Sequence, residues 1–378
     1  MAAALEAAWK RPLEGLVVTR YGHALPLEQI ELIEASHPVP DAAGAEASER
    51  ILALAESAGQ DDTVVFLASG GASALLSAPA PGISLGEKRA LTSSLLKSGA
   101  TIHEMNAVRK HLSAIKGGRL AVAAAPARLL TFAISDVPGD DPDVIGSGPT
   151  VPDSSTLADA KSVLAHYDIE PAASIQARLD NSSAETPKPG DTAFERAEFH
   201  MIATPHASLG AAQALAVKGG MSAPILSDRI EGEAQDVGKV LAALALASEE
   251  HDAPFKSPTV LLSGGETTVT VRGNGRGGRN VEFLLSLAIT LDGAAGISAI
   301  ACDTDGIDGS EDNAGAIISP TTLERARALG IDLHARLADN DAYSVFAALG
   351  DLVMTGPTLT NVNDFRAILI GGDFGGQD

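Results

Sequence analysis

Apolar runs that stop abruptly at small or acidic residues constrain this chain more than any other feature. Thr63-Val-Val-Phe-Leu-Ala68 runs straight into Ser69-Gly70-Gly71-Ala72-Ser73, and Leu129–Ile134 into Ser135-Asp136. Ile297–Ala301 ends in the same way, at Cys302-Asp303. A helix-forming stretch at 44–59 precedes the first of these runs, and stretches at 87–98 and 101–113 separate it from the second. Short apolar runs alternating with helices predict a parallel sheet covered on both faces. In such sheets ligands bind at the carboxyl ends of the strands, where the small and acidic residues fall here. The same reading places strands at Gly15–Arg20, Phe199–Ala203, Ala223–Leu226, Thr259–Leu262 and Thr267–Val271. Further helices are expected at 2–9, 207–217, 233–250 and 281–288, with a polar excursion from Gln176 to Phe199.

A length of 378 residues suggests two or three domains. The segment His251 to Ser257, with Pro254 and Pro258 in or beside it, is the best linker and divides the chain into 1–252 and 258–378. Hydrophobic residues make up 45% of the chain and aromatics 3%, so the core must be aliphatic. A formal charge of −22 repels phosphate backbones, which argues against a nucleic-acid partner. It also repels anionic metabolites, so a site for one must gather positive charge locally. Cys302 is the single cysteine, which excludes an internal disulfide and a cysteine-based zinc site. The start lacks the basic and apolar regions of a signal peptide, and no run approaches the ~20 apolar residues of a membrane helix. A cytoplasmic protein with no membrane partner is the expectation.

Two clusters supply local positive charge. The first is Asn106-Ala-Val-Arg-Lys-His-Leu-Ser-Ala-Ile-Lys-Gly-Gly-Arg119, where Arg109, Lys110, Lys116 and Arg119 fall close together. An arginine fork suits a carboxylate or phosphate, and a lysine supplies a point charge; a solvated basic helix face is the competing reading. The second is Arg272-Gly-Asn-Gly-Arg276-Gly-Gly-Arg279-Asn280, which suits the charged end of a polyphosphate. Gly273, Gly275 and Gly278 also satisfy G-x-G-x-x-G, a weak dinucleotide signal without an opening βαβ unit. Ser69-Gly70-Gly71 is echoed by Ser263-Gly264-Gly265 after Thr259–Leu262, and both read as strand exits with unhindered backbone amides. Neither is a P-loop. Asp136, Asp303 and Asp305 follow apolar strands, the usual placement for carboxylates that hold Mg²⁺ beside phosphates; turn-forming aspartates are an equal alternative. The nine histidines are scattered and form no recognisable catalytic or metal motif.

Taken together these stretches resemble the glycerate 2-kinase family with a carboxyl-terminal MOFRL domain. The matching words include Ser69-Gly-Gly-Ala-Ser73, Asn106–Leu120, Ser135-Asp-Val-Pro-Gly-Asp140 and Ile145-Gly-Ser-Gly-Pro-Thr150. Glu231-Gly-Glu-Ala234, Leu262-Ser-Gly-Gly-Glu-Thr267, Gly275-Arg-Gly-Gly-Arg-Asn280, Asp303-Thr-Asp-Gly-Ile-Asp-Gly309 and Thr355–Asp364 complete them. The resemblance implies an α/β fold of two domains: a larger α/β/α sandwich with a mostly parallel sheet, and a smaller α/β MOFRL domain, with the site in a cleft between them. It implies ATP- and Mg²⁺-dependent phosphorylation of D-glycerate at the 2-hydroxyl, giving 2-phosphoglycerate, by a monomer or homodimer. Some relatives carry the label hydroxypyruvate reductase, so an NAD(P)H-dependent reductase is the alternative.

On this resemblance Lys110, Arg279 and Asp136 are the expected catalytic residues. Ser69, Gly70, Gly71, Arg109, Lys116 and Arg119 would bind glycerate. Ser263, Gly264, Gly265, Glu266, Arg276 and Asn280 would bind the nucleotide, and Asp303 and Asp305 the metal. Relatives begin some tens of residues earlier, with a strand and a Gly-Lys-Ala turn. The expectation is therefore that these 378 residues lack that strand and that lysine, which adds a third reading, a form that binds ligand without turnover. Leu359 stands where relatives tend to have glycine.

Overall fold

The computed structural model describes residues 1–371. The chain forms two compact units, Met1–Ile202 and Ala203 onward. In the first, α1 (Ala2–Ala8) precedes β1 (Gly15–Arg20) and β2 (Ile30–Ala35), which pair in parallel with Val17 opposite Leu32. Next come α2 (Ala42–Glu56), β3 (Thr63–Ala68), α3 (Ala72–Leu75), α4 (Leu85–Ser98), α5 (Ile102–His111), α6 (Arg119–Ala124) and β4 (Arg128–Ile134). β3 and β4 are parallel with Phe66 opposite Thr131. The third strand of that sheet is β5 (Ala197–Ala203), reached through α7 (Leu157–His166) and α8 (Ala173–Asp180).

Local chemistry sets the helix starts. Ser84 with Glu87, Thr101 with Glu104, and Thr156 with Asp159 form reciprocal capping boxes at α4, α5 and α7. These helices then bury an aliphatic core that includes Leu91, Leu95, Val108, Leu112, Leu164 and Ile175. β1 and β3 belong to separate sheets. Between them lies a cavity of about 700 Å³, lined by Val17 and Val18 of β1, Val64 and Phe66 of β3, and Ile51 and Leu54 of α2.

The second unit contains α9 (Pro205–Lys218), β6 (Ile225–Glu233), α10 (Ala234–His251), β7 (Thr259–Thr268), α11 (Arg279–Leu291) and β8 (Ile297–Asp303). It continues with β9 (Gly315–Ile318), α12 (Thr322–Ala328), α13 (Leu333–Ala338), α14 (Ala342–Leu349), β10 (Leu352–Val353) and β11 (Asp364–Ile370). Its sheet runs β10-β9-β8-β11-β7-β6. β6 and β7 are parallel, whereas β11 lies antiparallel to both β7 and β8. α11 is buried continuously from Asn280 to Ala288, so it forms the centre of this unit's core. No helix among the described residues is long and apolar enough to cross a membrane.

The structure redraws three expectations. The compact units divide after Ile202, upstream of the expected linker. The reason is that β6 pairs with β7 and the apolar face of α10 (Leu241, Ala242, Ala245) shares the core of α11. Residues 252–258 are only the connection from α10 to β7. Ser263-Gly264-Gly265 is not a strand exit but lies inside β7, hydrogen-bonded between β11 and β6, and β7 ends at Thr268 rather than continuing to Val271. Finally, the polar stretch 176–199 is not purely loop, because it holds the end of α8, two 3₁₀ turns and the start of β5.

Gly265 shows how tightly β6 and β7 approach. Its φ is +120°, and a Cβ there would lie 2.2 Å from the Ile230 carbonyl oxygen. Leu359 illustrates the opposite case. It holds a left-handed φ of 63° with its side chain exposed, a conformation that glycine adopts more readily than leucine. Gly265→Ala should therefore cost at least ~3 kcal/mol, whereas Leu359→Gly should stabilise by up to ~1 kcal/mol. Denaturant unfolding of both variants checks this; wild-type stability in Gly265→Ala would show that β6 does not come so close.

Candidate functional site

In the first unit two glycine turns interlock. Gly117 and Gly118 have φ of 57° and 79°, and their amides donate to the Ser147 and Gly148 carbonyls at 3.0 and 2.7 Å. A Cβ on Gly118 would sit 2.8 Å from the Phe194 ring, so glycine is required by close approach. This clasp drives Lys116 into the interior, where only 1% of it is exposed. Its Nζ donates to the Ser73 carbonyl (2.8 Å), the Gly146 carbonyl (3.2 Å) and the Ser147 hydroxyl (3.4 Å). Ser73 Oγ also lies 3.1 Å from Ser147 Oγ. The Ser69–Ser73 turn is thereby fastened to the 145–149 turn. α3 has only four residues, so the turn's role rests on these contacts rather than on a helix dipole.

Around Lys116 lies an excess of positive charge. Lys88, which the sequence reading missed, is 8% exposed and donates to the carbonyls of Ser77 and Ala78 at 3.2 and 3.4 Å. Arg109, on α5, is partly buried. Among the described residues neither these two nor Lys116 pairs with a carboxylate. Burial pushes the Lys88 amine down to about 8, with Arg109 adding to the effect. Burial likewise holds Lys116 well below the usual lysine range, reinforced by the charges of Lys88, Arg109 and Lys110. Burying even one uncompensated ammonium costs several kcal/mol. Two buried ammonium groups and a half-buried guanidinium without carboxylate partners, in a chain of charge −22, form an arrangement that can receive an anion.

The other expected residues of this unit have structural partners. Lys110, expected to be catalytic, is 2% exposed and pairs with Asp143 at 2.5 Å and Asp153 at 3.2 Å. Arg119 donates to the carbonyls of Ala184 (2.7 Å) and Glu185 (3.3 Å). Asp136 follows β4 directly and is half-buried. His111 is fully buried, with its ring nitrogens at 2.6 Å from the Ala107 carbonyl and 2.8 Å from Glu185.

The second cluster has a different electrostatic character. Arg279 bridges three carboxylates, Asp364 and Asp303 at 2.7 Å and Glu266 at 2.9 Å. Burial works against its charge, but these three neighbours outweigh burial and raise its pKa. Arg276 pairs with Glu311 and lies 4.5 Å from the Tyr343 ring centre. The glycine loop wraps its own chain: the Arg272 and Gly273 amides donate to Asn340, Asn274 to Asp339, and Arg276 to Asp341. The second and third amides of α11, from Asn280 and Val281, donate to the Asp308 carboxylate at 3.0 and 2.9 Å. Asn280 is fully buried, and its side chain donates to Asp364 at 2.8 Å. Ser263 is also buried within β7. Of the expected nucleotide residues, Arg276 and Glu266 present exposed side chains, while Ser263 and Asn280 are built into the unit's interior.

For a metal, Asp303 and Asp305 offer two carboxylates in one turn. Asp303 accepts from the Asp305 amide at 3.1 Å, and Asp305 accepts from the Ile307 amide at 2.8 Å. Burial pushes Asp303 up to about 7 despite Arg279, so the carboxylate is short of positive charge. Among the described residues no group of three or more His, Cys, Asp or Glu converges as a metal cage. Mg²⁺ needs only one or two carboxylates when substrate phosphates and waters complete its shell, and this pair fits that demand.

Lys88 gives the first unit a testable pH signature. Above about pH 8 the folded unit releases a proton that the unfolded chain keeps up to about 10.5, so unfolding free energy should rise across this window. Affinity for a dianion such as sulfate should fall over the same window, because the receptor loses charge. Lys88→Met should weaken both trends. Urea unfolding and sulfate titration at pH 7.5, 8.5 and 9.5 provide the measurement; identical slopes in wild type and variant would remove Lys88 from the receptor.

Comparison with known proteins assigns this architecture. Residues 1–180 match a domain of unknown function, DUF4147, and residues 259–364 match the MOFRL family. An Agrobacterium vitis protein provisionally named a hydroxypyruvate reductase is 56% identical over 98% of this chain and 84% of its own length. The D-glycerate 2-kinase of Thermotoga maritima is 44% identical over 97% of this chain and 87% of its own. The crystal structure of glycerate kinase from Thermotoga maritima superposes with a TM-score of 0.88, covering 94% of this chain and 85% of that one. The chain therefore belongs to the glycerate 2-kinase family whose members carry a MOFRL domain.

Proposed function

We propose that this enzyme transfers the γ-phosphoryl group of ATP to the 2-hydroxyl of D-glycerate, giving 2-phosphoglycerate. The observation that carries the reading is the receptor formed by Lys88, Arg109 and Lys116, cations without carboxylate partners among the described residues. Arg109 meets the substrate carboxylate through its planar fork. Lys116 acts mainly by holding the Ser69–Ser73 turn in register, since its three donors are already directed at that turn and its neighbour. Lys110 and Arg119 support the receptor from behind through Asp143, Asp153 and the 184–185 carbonyls.

In the second unit Arg276, with 59% of its side chain exposed, is the residue we assign to a nucleotide phosphate. Arg279 positions Asp303 and Glu266 instead. Asp303 and Asp305 would hold Mg²⁺, which supplies charge neutralisation at the phosphate oxygens. Catalysis then rests on alignment and electrostatic stabilisation, as phosphoryl transfer generally does. The reading places the enzyme beside its ATP supply, in the cytoplasm.

The reductase reading loses its main support at α11. A Rossmann turn holds pyrophosphate on free amides at a helix start. Here the amides of Asn280 and Val281 are taken by the Asp308 carboxylate, which would repel a pyrophosphate.

Release of ADP, coupled to a spectrophotometric readout, should require D-glycerate and Mg²⁺, with ³¹P spectra showing the 2-phosphate. Arg109→Met should raise KM for glycerate ~10- to 100-fold, the worth of a charged hydrogen-bonding partner. Oxidation of NADH by hydroxypyruvate without ADP release would overturn the proposal in favour of a reductase. Glycerate binding without ADP release would indicate a receptor that does not turn over.

A further inference from the structure

We infer that His37 is the proton acceptor for the substrate hydroxyl, a role that rests on the kinase reading and adds a residue to it. β2 ends at Ala35, and His37 follows two residues later at the carboxyl end of that parallel strand. The ring is laid on the Ser69–Gly71 turn: a Cβ on Gly71 would stand 3.1 Å from its Cδ2 and 3.3 Å from its Nε2. Gly71 has a left-handed φ of 82°, so glycine serves here both the turn and the close approach of the imidazole. Two residues on, Ser73 is fastened to Lys116 at 2.8 Å. The turn that carries the imidazole is thus the turn tied to the anion receptor.

His37 remains accessible to solvent, and among the described residues its ring nitrogens have no hydrogen-bond partner. His111, by contrast, has both nitrogens engaged in the interior. The protein atoms on one side of the His37 ring and, second, the charge of Arg20 hold it below the usual histidine range. Arg20 ends β1 and is the charged side chain that acts on it. A neutral imidazole beside an anion receptor is equipped to accept a proton rather than to donate one.

The step balances. A lone pair of the substrate oxygen forms the new bond to the γ-phosphorus of the nucleoside triphosphate. The bond from that phosphorus to the β–γ bridging oxygen breaks, and its electrons leave with the diphosphate. The hydroxyl proton passes to a ring nitrogen of His37 and later to water. The competing acceptor is Asp136, after β4.

The test is steady-state ADP release between pH 5.5 and 9 at saturating Mg-ATP, on wild type, His37→Ala, His37→Gln and Asp136→Asn, with melting curves as the folding check. His37→Ala and His37→Gln should lose ~10²- to 10⁴-fold in kcat, keep KM for glycerate within a few fold, and lose the acidic limb of the profile. Added imidazole should restore part of the activity of His37→Ala. Wild-type kcat in His37→Ala, or full rescue by His37→Gln, would overturn the inference while leaving the kinase reading intact. Loss of the acidic limb only in Asp136→Asn would transfer the role to Asp136. A wild type that releases no ADP would overturn the kinase reading and this inference with it.

Discussion

The hydrogen bonds of a single buried ammonium organise the first unit. Lys116 reaches its position because Gly117 and Gly118 fold back on residues 147 and 148, and it then joins the turns after β3 and around Gly146. No carboxylate neutralises it among the described residues. An ammonium held by carbonyl and hydroxyl oxygens is costly, and a cost of this kind is retained where the positive potential serves a ligand. Lys88 and Arg109 repeat the arrangement. The nearby acids Asp143 and Asp153 are spent on Lys110, which leaves the remaining positive charge available.

The second unit resolves the same problem in the opposite sense. Its buried arginines are compensated by carboxylates, and its buried acids by arginines, amides or amide side chains. Arg366, fully buried, donates to Asp364 at 2.5 Å and to Thr267 at 3.0 Å. Asp364 also receives Arg279 and Asn280. Asp308, which burial pushes up to about 6, caps α11. Removing any one member would leave another charge stranded in the interior, which is the expensive outcome for a buried ionic network. A lattice of this kind ties β7, β11, the turn after β8 and α11 into one relative position. It also fixes where the carboxylates of the 303–308 turn point.

The difference between the two units explains what sequence reading reached. β1 and β3 were legible to the residue, because continuous apolar runs bounded by Gly, Ser and Thr leave little choice. The basic stretch 109–119 was legible as a cluster, though not Lys88, which lies on a separate helix beside Arg89 and well upstream of that stretch. The loop 272–279 read as a second positive site because counting along the chain ignores what folds beside it. Glu311, Asp341 and Asp364 are remote in sequence yet supply its partners, together with Glu266 just upstream. β11 was hidden for a related reason. Asp364 and Arg366 interrupt its apolar pattern, although both lie on its buried face and satisfy each other. The Ser-Gly-Gly echo failed because identical triplets occupy a turn in one unit and a strand interior in the other.

The cavity between β1 and β3 has a consequence of a colloidal kind. Among the described residues each of these strands is paired on one side only, so each presents a row of unmatched peptide groups beside apolar side chains. Open edges of this sort are templates for pairing with any extended segment that comes near. Elsewhere in the molecule charge suppresses such encounters, since a net −22 keeps copies apart at low salt. Screening removes that protection while leaving the edges unchanged. Rising ionic strength should therefore favour self-association through these strand edges.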